Sequence, residues 1–255
     1  MRRILSIIIL SLFCCFTFQA FSAEKGSVTE FKDTLEKKDL DKSKRKVWHD
    51  DKDDPTGEVT EGLIDIFANF FLAGLVTNLD EGDFGYLYKE LKREKRPALP
   101  TIRLDAGYQR VFDNTNVLYA KGEFGYLMLG ADVKYNKYWQ KNPKDVLDVF
   151  SSHFLLRSYL MEIFQINMAL GAKYIKGTNS HTGFEIGFPF YLFFGKHIIW
   201  DILPYMAFMR GYHVYDLSSG INVKFGMVGA RVGYKILSIN DASLHGPEAG
   251  LFFQW

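Results

Sequence analysis

The last ten residues, Gly246 to Trp255 (GPEAGLFFQW), restrict the fold more than any other stretch of this chain. Side chains alternate across an extended strand, so Ala249, Leu251, Phe253 and Trp255 share one face and Glu248, Gly250, Phe252 and Gln254 the other. The apolar face ends on an aromatic. The same period of two runs back to Thr101, where Ile102, Leu104, Ala106 and Tyr108 alternate with Arg103, Asp105, Gly107 and Gln109. It returns in Leu118, Ala120 and Phe124, and in Leu127, Leu129, Ala131, Val133 and Tyr135. Further segments near 147–160, 164–176, 181–193, 197–209, 214–224 and 227–237 bring the count to about ten strands, with the fourth the least regular and eight or twelve as alternatives.

Residues 1–100 read differently. Met1-Arg2-Arg3 is basic, Ile4 to Phe18 is apolar, and small residues follow at Ala20, Ser22 and Ala23. That order is a secretory signal peptide over 1–23, cut after Ser22 or Ala23. Cys14 and Cys15, the only cysteines, leave with it, so disulfide and thiol chemistry are not expected. Losing Arg2 and Arg3 takes the formal charge from +1 to −1, which offers no general attraction for nucleic acid. Residues 24–61 are rich in Lys, Glu and Asp and predict a charged tether, disordered or loosely helical. Residues 62–78, centred on GLIDIFANFFLAGLV, predict one short apolar helix with Glu61, Asp65 and Asn69 as a polar stripe. Residues 79–100 return to charge and proline as a linker.

The 101–255 region carries tight turns at Phe124-Gly125-Tyr126, Met161-Glu162-Ile163, Phe194-Gly195-Lys196 and Phe225-Gly226-Met227. Connections near 112–115, 140–147, 177–180, 210–213 and 238–245 are polar and mostly longer. An even number of strands places both barrel ends on one side. Pro189 and Pro204 interrupt two strands and lie nearly opposite each other when counted from the Gly195 turn, which predicts a local bulge or gap.

The direction of the faces follows from volume. One face of 181–193 carries Phe184, Ile186, Phe188, Phe190 and Leu192, too much bulk for a narrow interior repeated ten times. The opposite faces mix glycine with charge, so the apolar side points out. Trp139, Trp200 and Trp255 fall near strand ends, where aromatic girdles sit. Signal peptide, alternating strands, Phe-Gly turns and the terminal Phe252-Phe253-Gln254-Trp255 together resemble small outer-membrane β-barrel proteins of Gram-negative bacteria. The resemblance covers about 101–255. It implies an all-β fold, a transmembrane antiparallel up-and-down barrel with porin-like architecture. It also implies contact with outer-membrane lipid, and insertion by the barrel-assembly machinery reading a C-terminal signal at Phe253 and Trp255. It carries over no catalytic residue.

The inward face then holds Arg103, Lys121, Lys134, Arg157, Lys173, Lys224, Arg231 and Lys235 against Asp105, Glu123, Asp132, Glu185, Asp201, Asp216 and Glu248. A selective pore favours one sign. A near-balanced set predicts a charge network that fills the lumen, because unpaired burial is costly. His153, His181, His213 and His245 map to strand ends at the exterior rim, with Ser151, Ser152 and Ser180 nearby. They are read as unrelated rim residues, with a rim metal or Ser–His hydrolase site as the alternative. His181 and Glu185 stand about 13 Å apart along one strand, too far for contact. No cofactor or metal is expected. The leading expectation is a structural anchor or surface-interaction protein with a closed lumen and no enzymatic activity. A narrow solute channel gated by the N-terminal helix is the alternative. The N-terminal region is expected in the periplasm, where residues 24–78 offer a surface for a partner.

Overall fold

The computed structural model describes residues 24–25, 27–44, 101–112, 114–126, 128–141, 144–161, 164–239 and 242–255. The expected signal peptide over 1–23, the apolar helix over 62–78 and the linker over 79–100 lie outside the described residues. In chain order the elements are β1 (Glu24–Lys25), α1 (Val28–Lys44), β2 (Thr101–Arg110), β3 (Thr115–Tyr126), β4 (Leu129–Gln140), β5 (Asp145–Met161), β6 (Phe164–Lys176), β7 (Ser180–Gly187), β8 (Phe190–Phe194), β9 (Ile198–Met209), β10 (Tyr212–Phe225), β11 (Val228–Ile239) and β12 (Ala242–Gln254).

Each strand from β2 onward pairs antiparallel with its neighbour, and β12 returns to β2 through Glu248↔Gln109 to Gln254↔Arg103. The sheet is therefore closed. Trp255 and Ile102 complete the seam by exchanging two backbone hydrogen bonds of 2.8 and 2.9 Å. β7 and β8 are two halves of one stave, since Gly187↔Tyr205 and Phe190↔Ile202 hold a single register against β9. That makes ten staves. Neither Pro189 nor Pro204 has an N–H to donate, and the ladder opens between them as a gap without a register shift. The Phe188 N–H still reaches the Pro204 carbonyl at 3.0 Å, and the Asn167 N–H the Pro189 carbonyl at 2.8 Å. The one shifted register is in the fourth stave, between Tyr159 and Met161 of β5.

Three expectations about connections need correction. The β3–β4 turn lies beyond Phe124-Gly125: Gly125 stays in the ladder opposite Gly130, and Tyr126 pairs with Leu129. β12 starts at Ala242, not near 246, because Leu244 and Ala242 continue the inward apolar pattern. As a result the connections at that end, 111–114, 141–144, 177–179, 210–211 and 240–241, are barely longer than those at the other. Connection length does not tell the two ends apart. At the turns that do hold, Gly195 and Gly226 have φ of 70° and 67°, a conformation that crowds any Cβ. Nothing lies within 4 Å of a Cβ built on Gly226, so Gly226→Ala meets only backbone strain. It should lower stability by about 1–2 kcal/mol in urea unfolding, and Gly226→Asn by less.

The faces sort as volume dictates. Leu104, Leu118, Phe124, Val133, Phe184, Val232 and Leu251 point out and are exposed, while Arg103, Asp105, Asp132, Arg157, Lys173 and Glu185 point in and are buried. Inward glycines make room for large neighbours. The Tyr119 ring lies over Gly107 and Gly250, where any Cβ would collide with its hydroxyl.

Over Val28–Lys44 the helical of the two expected forms is present, and it is docked on the barrel, not a loose tether. Ser27-Val28-Thr29-Glu30 is a capping box: the Glu30 N–H donates to Ser27 Oγ at 3.2 Å, and the Ser27 N–H to Glu30 Oε2 at 3.4 Å. Val28, Phe31 and Leu35 follow at helical spacing and are fully buried inside one mouth of the barrel. Each such side chain contributes about 1.5–3 kcal/mol on burial, which offsets the ordering of a short charged helix. The mouth is the one formed by connections 111–114 and 141–144, opposite the end where Thr101 and Trp255 meet. β1 adds two parallel pairs to the start of β12, Glu24↔Ala242 and Lys25↔Ser243.

Candidate functional site

The interior is stratified. Beneath α1 the inward side chains are apolar: Val117, Tyr138, Leu147, Val149, Ile175, Val214, Leu237 and Leu244 form one cluster with the helix. Deeper, toward the Thr101 end, they become charged. The change follows the alternation of each strand. In β10, Tyr212 and Val214 precede Asp216 and Ser218 on the same face, and in β11 Leu237 and Ile239 follow Arg231 and Lys235.

Two clusters organise the charged layer. In the first, Arg231 donates to both oxygens of Asp201 at 3.2 and 2.7 Å, and also contacts Glu248 and Ser218. Asn222 joins it to Arg103 by donating to Asp201 at 2.7 Å and accepting from Arg103 at 2.7 Å. Arg103 in turn holds Asp105 through both Nε and Nη2 and lies over the Phe252 ring, 4.6 Å from its centroid. In the second, Lys173 bridges Glu185 at 2.6 Å and Asp216 at 3.2 Å, and Lys235 sits 3.6 Å from Asp216 and donates to Asn136 at 2.9 Å. Lys121 pairs with Glu123 at 2.7 Å.

His153 completes the second cluster and corrects the sequence reading most sharply. It does not sit on the rim. It is the midpoint of β5, with a fully buried ring whose Nδ1 lies 2.6 Å from Asp132 and whose Nε2 lies 2.9 Å from Glu185. Both nitrogens face carboxylate oxygens within hydrogen-bond distance. The Tyr205 ring stacks beside it at 4.8 Å. His181 faces inward near Tyr212, whereas His213 and His245 face outward against Phe208 and Phe112. The four do not converge, and no cluster among the described residues has the make-up of a metal site. Ser151 and His153 share the inward face without a hydrogen bond between them, and Ser180 Oγ accepts from the Tyr174 hydroxyl at 3.1 Å.

Of the fifteen charged residues expected in the lumen, all lie on inward positions. Two stand apart from the network. Lys134 makes no ion pair among the described residues and places its ammonium 3.1 Å from the Tyr205 ring centroid. Lys224 lies at the Thr101 end, half-buried, where its backbone N–H and carbonyl meet His197. Arg157 reaches Thr101 Oγ1 at 3.0 Å. What remains open between the clusters is a cavity of about 60 Å³, lined by Lys134, Tyr191, Tyr205 and Arg231 among others. That is room for roughly two water molecules.

Phe253 and Trp255 are outward and exposed at the seam, as the C-terminal pattern requires. Comparison with protein-family models and with curated proteins finds no match for this chain.

Proposed function

We propose that this chain is an outer-membrane barrel of Gram-negative type with a closed lumen, serving as an anchor or surface-interaction protein. One observation carries the reading: a barrel with an apolar exposed exterior has an interior whose charges, Lys134 and Lys224 apart, pair with or bond one another. Lipid suits the first and a filled, non-conducting lumen the second. The exposed aromatics Trp255, Phe253, Phe194 and Phe225 at the seam end, and Tyr108 beside the half-buried Trp139 at the other, support two interfacial girdles. In this reading the assembly machinery recognises the strand ending in Phe253 and Trp255.

The test is single-channel recording of the refolded mature protein in a planar bilayer, with insertion checked by heat-modifiable gel migration. Inserted, silent barrels are the expected result. Regular current steps would replace the anchor reading with a narrow gated channel. The cavity beside the unpaired Lys134 is the observation that favours that second reading.

A further inference from the structure

We propose that the mouth closed by α1 is a binding cup for an anionic single-chain amphiphile, of the fatty-acid class, and that α1 is its displaceable stand-in. The proposal rests on the barrel and its helix, and goes beyond the closed-lumen reading.

A lumen filled by paired charges has no use for an apolar ring at one end. Yet Val117, Val149, Ile175, Val214, Leu237 and Leu244 all turn inward there, on strands whose outward faces already meet the exterior. An apolar surface this size needs an apolar occupant. The cup is blind, because Lys173, Asp216 and Lys235 pair directly beneath it and close its floor. At its wall the Tyr138 hydroxyl is fully buried without a hydrogen-bond partner, a polar atom the helix leaves unsatisfied.

The present occupant is small and lightly held. Val28, Phe31 and Leu35 form one row about 10 Å long on the helix. Together they carry roughly fourteen side-chain carbons, about what one medium-length acyl chain would bury in the same space. Beyond that row α1 is tied to the mouth by the Lys32–Asp145 ion pair, the Val28 N–H to Gln140 hydrogen bond at 3.2 Å and the two pairs of β1. The rest of α1 is dominated by Lys, Asp and Glu. An acyl chain can therefore replace the row at little net cost.

The rim selects the head group. Arg110, Lys141, Lys144, Lys176 and Arg210 of the barrel are exposed around this mouth, against the barrel's own Asp145 and Asp148 among the described residues, with Glu30 and Asp33 carried on the helix that leaves, so a carboxylate head is favoured over a neutral one.

The test uses the full mature chain refolded in detergent, with dansyl-labelled undecanoic acid as the probe. Phe31→Glu/Leu35→Glu removes the stand-in, and should bind the probe saturably, one per chain, at least tenfold more tightly than the unmodified protein. Adding Val214→Lys, or in a separate variant Val149→Trp, obstructs the cup and should abolish that gain, with heat-modifiable migration reporting that each barrel has closed. The matching dansyl-labelled alcohol should bind at least tenfold more weakly than the acid. In the unmodified protein, saturating acid should speed trypsin cleavage after Lys32. No saturable binding by the double variant, or equal binding once the cup is obstructed, overturns the cup. Equal binding of acid and alcohol overturns the anionic head group. A Lys32 site that stays protected at saturation overturns the displacement of α1.

Discussion

Arg231→Ala is expected to cost about 3–5 kcal/mol of barrel stability, the largest effect of any single lumen substitution. Among the described residues its guanidinium is the only group that touches Asp201, Glu248 and Ser218 together, and all four residues are buried. Removing it leaves two carboxylates facing each other with one neutral donor each, Asn222 for Asp201 and Ser218 for Glu248. Urea unfolding from lipid vesicles, followed by tryptophan fluorescence, should show the loss as a shifted midpoint. Arg110→Ala is the surface comparison: Arg110 is exposed and bonds only Asn114 and Asn116, so its loss should stay within about 0.5 kcal/mol. Adding Glu248→Gln to Arg231→Ala should recover part of the loss, because it removes one of the stranded charges. A cost for Arg231→Ala below about 1 kcal/mol would mean that water screens the network, and the lumen would then be a hydrated path instead of a filled core.

The barrel was legible because its signal repeats. Alternation at Ile102 to Gln109 and at Glu248 to Trp255 gives strand, face and seam together, and a one-residue slip would have turned every charge outward. The inward charges were legible for the same reason. Their partners were not, since Arg231 and Asp201 lie on β11 and β9 and meet only through the curvature of the wall. α1 escaped because composition averages over a window, whereas the helix is decided by five positions. Ser27 and Glu30 cap it, and Val28, Phe31 and Leu35 anchor it, within a stretch otherwise dominated by charge. Both signals were in the sequence. His153 was misplaced against the strand bounds themselves: the expected span 147–160 already puts the histidine near its centre, as β5 does. The first Phe-Gly turn failed because Gly125 serves packing. A Cβ there would run into Arg157, so the glycine marks a close approach and not a reversal.

Val232→Arg separates a membrane barrel from a soluble one by the sign and depth of its effect. Val232 sits near the middle of β11, points outward and is 59% exposed. In water an arginine there is harmless, within about 0.5 kcal/mol. In a bilayer the same position is close to the midplane, and the charge should cost about 2–4 kcal/mol. Val228 lies on the same face of the same strand, 53% exposed and beside the Gly226 turn, where the girdle would be. Val228→Arg should therefore cost only about 0–1 kcal/mol. The difference between the two, measured in vesicles by urea unfolding, cancels any general effect of an added charge or of lost β-propensity. A steep profile requires a hydrocarbon layer centred on the middle of the strands. Equal, small costs at both positions would mean that the apolar exterior meets something other than lipid, and the closed lumen would need a different physical setting.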